Sequence, residues 1–244
     1  MDVKTWRLFN ATRNAFREAV ELLNKQLPGL GLLQQKLADS REGPAYAVET
    51  PVVYNQALDD VGSGDDIKLI LVADNPGRRE QAAENRRYLV GPSGKIAGRF
   101  FSEELSLGID FRKNVLILNK TPVHTPRTAE LKELCRLGGS ALTEAIAQSQ
   151  LTMAGILGQF CRALPLVPVW IIGYSEMKKG GIFEVYTTAL QQAADAKLYD
   201  RLFFYRHFSM NQFTIDLHKQ ARQGESTAQT LERIGTAYRE RILG

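Results

Sequence analysis

Four short stretches of the chain are almost wholly apolar, and each stops at a polar or glycine turn: residues 67–73 (IKLILVA), 114–119 (NVLILN), 167–173 (VPVWIIG) and 201–207 (RLFFYRH). Runs of strand length that are continuous in apolar residues, rather than alternating, predict strands covered on both faces. The segments between them, among them 98–108, 128–148 and 181–198, are long enough for crossover helices. Repeated strand, helix, strand units predict a parallel sheet. The expected fold class is α/β, a three-layer α/β/α sandwich around a central four-stranded, mainly parallel sheet.

Both flanks carry helical periodicity. Trp6, Phe9, Phe16, Val20, Leu23 and Leu27 recur at spacings of three, four and seven before a stop at Pro28-Gly29, and Leu231, Ile234, Tyr238 and Ile242 repeat the pattern near the other end. The Gly, Pro and Asp content of residues 29–66 predicts an irregular approach to the first strand. With no repeat and no linker, the chain is expected to form a single domain: a helical extension to about residue 50, a core over about 51–215, and a helix over about 225–243.

Ligands of parallel sheets sit outside the carboxyl ends of the strands. That rule selects residues 73–77, 119–125, 173–176 and 207–211, and so brings Asp74-Asn75, Asn119-Lys120 and His207-Phe208-Ser209-Met210-Asn211 to one crevice. Such a crevice offers amides, hydroxyls and an imidazole but no serine or cysteine nucleophile motif. The loop YLVGPSGKIAGRF (88–100) invites a phosphate-loop reading, which fails twice: Leu89 stands where the first glycine belongs, and Ile96 follows Lys95 in place of the serine or threonine that reaches magnesium.

Charge sharpens this picture. The chain of 244 residues carries a net +4, and between residues 78 and 127 ten Lys/Arg stand against five Asp/Glu, which leaves −1 for the rest. A basic strip around polar strand ends suits an anionic partner. Cys135 and Cys161 lie far apart without a CxxC or a histidine-rich neighbour, so no cofactor, metal or iron–sulfur cluster is expected. No apolar run reaches the ~18 residues of a membrane span. The expectation is a cytoplasmic monomer with no membrane partner.

The run YLVGPSG, shortly after the strand end ADNPG (73–77), resembles the P-F-V-G-x-A-G element that follows the G-E-x-P-G motif of the uracil-DNA glycosylase superfamily. NVLILNKTP resembles that superfamily's strand ending in a base-reading asparagine, YRHFSMN (205–211) resembles its H-P-S-P motif, and PVVYNQAL (51–58) resembles the V-Y-N-P-L element of its single-strand-selective branch. The chain therefore looks like a divergent member, over about residues 50–215, closest in motif to the mismatch-specific and single-strand-selective branches. Ala73 stands in place of the motif's glycine, Phe208 in place of its proline, and Leu89 at the position of its stacking phenylalanine.

The resemblance implies a monofunctional glycosylase that hydrolyses the bond between deoxyribose and uracil, or a related deaminated or mismatched base, flipped out of DNA during base excision repair. It implies that His207 donates to the departing pyrimidine and that Asn119 reads its edge, since an amide both accepts from N3–H and donates to O4. Neighbouring residues at a strand end tend to point oppositely, so one of Asn75 and Asp74 is expected to face the substrate: Asn75 as the orienter of water, with Asp74 as second candidate. Tyr88, Leu89, Pro76 and Gly77 would shape the base pocket. Gly91, Ser93, Lys95, Lys120, Arg127, Ser209 and Asn211 would meet DNA, and Met210 would wedge into the gap left by the flipped base. Plainer roles stay open: Asn75 and Asn119 as turn residues, His207 as a satisfied half-buried histidine, Met210 as a core filler. So do a weakly catalytic relative that binds nucleic acid, and an enzyme acting on a free nucleoside or nucleotide.

Overall fold

In the computed structural model, which describes residues 1–41 and 44–244, the four apolar runs form β1 (Leu69–Ala73), β2 (Val115–Asn119), β3 (Val169–Ile172) and β4 (Leu202–Tyr205). All pairings are parallel, in the order β2-β1-β3-β4. Every residue of the first three strands is buried, which is why their sequences show no alternation. Ala73 pairs with Asn119 in register, so β1 and β2 end level. The Lys120 amide then donates to the carbonyls of both Ala73 (2.9 Å) and Asp74 (3.1 Å). Asp74 and Lys120 thus leave the sheet side by side.

Around the sheet lie α1 (Val3–Gln26), α2 (Leu30–Asp39), α3 (Pro92–Glu103), α4 (Ala129–Ala163), α5 (Glu184–Ala193), α6 (Ala196–Tyr199), α7 (Gln212–Gln220) and α8 (Thr227–Leu243). The result is the three-layer α/β/α sandwich. On one face Trp170 of β3 stacks on Phe101 of α3 (5.6 Å) and on Phe213 of α7 (5.8 Å). Helix α8 lies directly on β4: a Cβ added to Gly235 would sit 2.6 Å from the Tyr205 hydroxyl and 2.7 Å from the Phe203 Cβ. Helix α1 packs on α4, with Phe9 and Phe160 5.1 Å apart. Each such ring taken from water contributes on the order of 2–3 kcal/mol.

Two expectations need correction. The segment 29–66 was expected to be irregular, yet it holds α2, whose Leu30, Gln34 and Leu37 are buried at helical spacing; Glu42 and Gly43, in the same segment, lie outside the described residues. Gln34 explains the burial of a polar face: its amide donates to the carbonyls of Pro51 (3.0 Å) and His124 (2.7 Å). The helix expected over 128–148 runs on to Ala163, and is interrupted at Gly139, where φ is 71° and ψ −164°. Among the described residues no helix is long and apolar enough to cross a membrane.

Candidate functional site

The carboxyl ends of β1, β3 and β4 open into a crevice of about 1840 Å³, larger than the roughly 300–1,000 Å³ of a small-molecule pocket. At its base stands Asp74. Its carboxylate takes the Lys120 ammonium at 2.5 Å and the Thr128 hydroxyl at 2.9 Å. Lys120 is wholly buried and also donates to the Ile172 carbonyl at 2.6 Å. Burial lowers the Lys120 pKa, and Asp74 opposes that shift by favouring the charged form. The carboxylate has room only because residue 173 is glycine: with φ at +79°, a Cβ there would fall 2.4 Å from Asp74 Oδ1.

Asn75, the residue expected to face the substrate alone, shares the crevice wall with Asp74. Its Nδ2 donates to the Thr125 carbonyl (3.0 Å) and hydroxyl (2.9 Å). Because a carbonyl only accepts, the amide orientation is fixed. The donor is therefore spent on tying strand end to loop, and Oδ1 is the end left for chemistry.

His207 also lines the crevice. The Ser209 backbone N–H donates to its Nδ1 at 3.0 Å, and the Ser209 hydroxyl lies 2.8 Å from the same atom. An N–H only donates, so Nδ1 is the acceptor and the neutral ring carries its proton on Nε2. Burial pulls the His207 pKa down; Asp74 opposes that and Lys120 reinforces it. The group offered to a ligand is thus a neutral imidazole with an Nε2–H donor. The following loop is strained: Met210 (φ 54°) and Asn211 (φ 56°) are consecutive left-handed residues without glycine, at a cost of roughly 1–2 kcal/mol each. Phe208 anchors the loop, stacked on Phe213 at 4.3 Å, while Met210 is left 82% exposed on the rim.

Gly77, Leu89, Gly91, Ser93, Arg127 and Ser209 line the same crevice as expected from their positions after strand ends and in the glycine loop. Leu89 is held at φ 53° over α3, an approach that Gly94 permits, since a Cβ at Gly94 would lie 1.4 Å from the Leu89 carbonyl oxygen. Other expected residues stand elsewhere. Tyr88 is a core side chain, its hydroxyl donating to the Val53 carbonyl at 2.6 Å, and so is no stacking wall. Lys120 meets Asp74 instead of phosphate. Lys95 sits on the exposed side of α3 beside a separate hollow with Gly98 and Arg99. Asn211 caps the start of α7 and is not among the residues that line the crevice. Pro76 is buried, and its carbonyl receives the His124 Nδ1 proton (2.9 Å) and the Thr125 N–H (3.2 Å). Asn119 is 1% exposed and off the crevice wall, and its Nδ2 has no partner among the described residues; such an orphaned donor costs about 1–3 kcal/mol.

The basic strip disperses on folding. Of its ten members only Arg78, Arg79 and Arg127 reach the crevice; Arg99 pairs with Glu103 and Arg87 with Asp60, both at the surface.

Two supporting residues escaped sequence reasoning because their partners are remote in the chain. His124 is fully buried; since its Nδ1 donates to Pro76, its Nε2 accepts from the Tyr46 hydroxyl at 3.1 Å. Burial lowers its pKa to about 4. Glu80, on the crevice wall, accepts from the Gly77 N–H at 3.0 Å. Burial raises its pKa to about 7, against the lowering effect of the Gly77, Leu89 and Gly91 amides. Together these residues brace the loop 74–77 from both sides. Arg206, Tyr174, Tyr238 and Arg241 complete the crevice from β3, β4 and α8, and of these only Tyr174 was marked in the sequence, by its place after a strand end. Among the described residues no three His, Cys, Asp or Glu side chains converge to hold a metal.

A scan against protein-family models finds no match to this chain, and a search of curated proteins finds none either.

Proposed function

We propose that the protein is a monofunctional DNA glycosylase that removes uracil, or a related deaminated or mismatched base, from DNA in base excision repair. The observation that carries this reading is the pairing, in one crevice, of a lysine-held carboxylate with a neutral imidazole that offers Nε2–H. Hydrolysis of an N-glycosidic bond needs a negative group beside the sugar and a hydrogen-bond donor at the departing base. As the C1′–N1 bond breaks, its electron pair leaves with the base and the sugar gains oxocarbenium character. Asp74 stabilises that cation and takes a proton from the attacking water, whose oxygen bonds to C1′. His207 donates to O2 of the departing pyrimidine anion. Asn75 accepts through Oδ1 and holds the water.

The sequence favoured Asn75 over Asp74; this reading gives Asp74 the leading role, supported by the Asn75 donor being spent on Thr125 and by the carboxylate that Lys120 and Thr128 hold at the crevice base. In this reading Met210, exposed on the rim, enters the base stack, and Ser209, Ser93 and Arg127, which line the crevice, meet the backbone phosphates. The crevice volume favours a polymer over a free nucleoside.

The test is incubation with single- and double-stranded oligonucleotides carrying uracil, hypoxanthine or xanthine, followed by alkali to reveal abasic sites. Asp74→Asn and His207→Ala should each lower strand cleavage by at least about 100-fold. Absence of cleavage on every substrate at stoichiometric protein refutes the enzyme and leaves the nucleic-acid-binding reading, which anisotropy on the same oligonucleotides decides.

A further inference from the structure

The reaction just described uses the Asp74 and His207 side of the crevice and leaves the wall built by the β3 turn and α8 without a role. That wall is aromatic and cationic. Tyr174 follows Gly173, the residue pressed against Asp74, so the wall begins next to the reacting position. Tyr238, Arg241 and Ile242, spaced by three and four, share one face of α8 and line the crevice. The Tyr174 and Tyr238 rings lie 4.6 Å apart, and the Arg241 guanidinium covers both, 5.2 Å and 4.8 Å from their centroids. Tyr238 is immobilised: its hydroxyl donates to Asp216 at 2.9 Å and accepts from Gln220 at 2.7 Å. Arg241 is exposed, and neither it nor Lys178, which also lines the crevice, is in an ion pair among the described residues.

An unpaired guanidinium backed by two tyrosine rings, inclined to one another at 46°, presents its own planar face and free N–H donors. We propose that Tyr174, Tyr238 and Arg241 form a subsite for a nucleotide that flanks the target base in a single-stranded stretch of DNA. The flanking base stacks on the open side of the guanidinium that the two rings back, and its phosphate meets Arg241 and Lys178. A paired base inside a duplex has both faces covered by its neighbours and offers nothing to such a platform, so the subsite selects unpaired DNA. This inference rests on the reading of the crevice as a DNA site.

The experiment is fluorescence anisotropy with fluorescein-labelled single-stranded oligonucleotides bearing one uracil, either short or lengthened on the 5′ or the 3′ side, and with a matching duplex. Wild type should bind more tightly when the strand is lengthened on one side. Tyr238→Ala and Arg241→Gln should each remove that gain, about tenfold, and Arg241→Gln should lower the slope of log affinity against log salt by about 0.7. Arg241 is at the surface, so its replacement leaves the fold intact, and Tyr238→Trp, which keeps a ring, should keep the gain. Variants that retain the wild-type ratio between long and short strands overturn the subsite while wild-type binding and uracil removal uphold the glycosylase. Wild type that binds no oligonucleotide overturns both.

Discussion

The Asp74–Lys120 pair makes a quantitative claim that separates folding from chemistry. At 2.5 Å and an effective dielectric near 20, the gross Coulomb attraction is roughly 7 kcal/mol, and desolvating the buried lysine costs several kcal/mol in the opposite direction. Removing one partner keeps the cost and discards the gain. Asp74→Asn preserves shape and leaves Lys120 with the Ile172 carbonyl but no counter-charge, so a loss of about 3 kcal/mol is expected. Lys120→Met leaves a carboxylate whose side chain is only 12% exposed, and a loss of about 2–3 kcal/mol follows. The double variant carries neither charge, and its cost should fall to about 1 kcal/mol or less, giving a coupling of several kcal/mol. Urea unfolding, with the midpoint read at constant m, measures all three. Base removal should be lost in Asp74→Asn and should stay lost in the double variant despite its restored stability. Single variants that each cost under about 1 kcal/mol and add in the double would refute the claim that the lysine is buried against this carboxylate.

Two further outcomes follow from the loop that carries Asp74. Gly173→Ala places a Cβ at a left-handed position 2.4 Å from Asp74 Oδ1; it should cost about 2–3 kcal/mol and abolish base removal, and a variant of wild-type melting temperature and activity would show that the close approach is not there. The second concerns pH. His124, held near 4, stays neutral while the unfolded chain takes up a proton below 6.5, so its contribution is present above 6.5 and is lost as pH falls to about 4. Glu80, held near 7, keeps a proton that the unfolded chain releases above 4.5, so its contribution is present below 4.5 and is lost as pH rises through 7. Each displacement is worth about 3 kcal/mol, at about 1.4 kcal/mol per pH unit. The two slopes oppose one another between pH 4.5 and 6.5. Relative to wild type, Glu80→Gln should therefore steepen the fall in stability on acidification through that window by about 1.4 kcal/mol per unit, read from urea midpoints; a slope equal to that of wild type would refute the assignment.

What the sequence determined by itself is the sheet and the addresses at its edge. Continuous apolar runs such as LILVA and VLILN have one stable use in water, as strands covered on both faces, and the helical segments between them leave parallel pairing as the outcome. The turn residues that end those runs therefore locate the crevice, and Asp74, Asn75 and His207 were legible for that reason. Helix α2 was hidden because its burial depends on Gln34 reaching carbonyls of Pro51 and His124, contacts of 17 and 90 residues' separation. Which side chain at an address lines the crevice, and with which partners, was decided only by tertiary structure. Local periodicity says that Lys120 follows a strand; only the level ends of β1 and β2 set it against Asp74, buried and unavailable to phosphate. Tyr88 has the composition of a pocket wall, but a carbonyl from Val53 captures its hydroxyl in the core. Asn75 and Asp74 are equals as neighbours in sequence, and Thr125, 50 residues away, takes the donor of one, while Lys120 and Thr128 aim the other. Hydrophobic pattern is a local property of the chain, whereas the pairing of buried polar groups is settled between distant segments, and it is that pairing which fixes the chemistry.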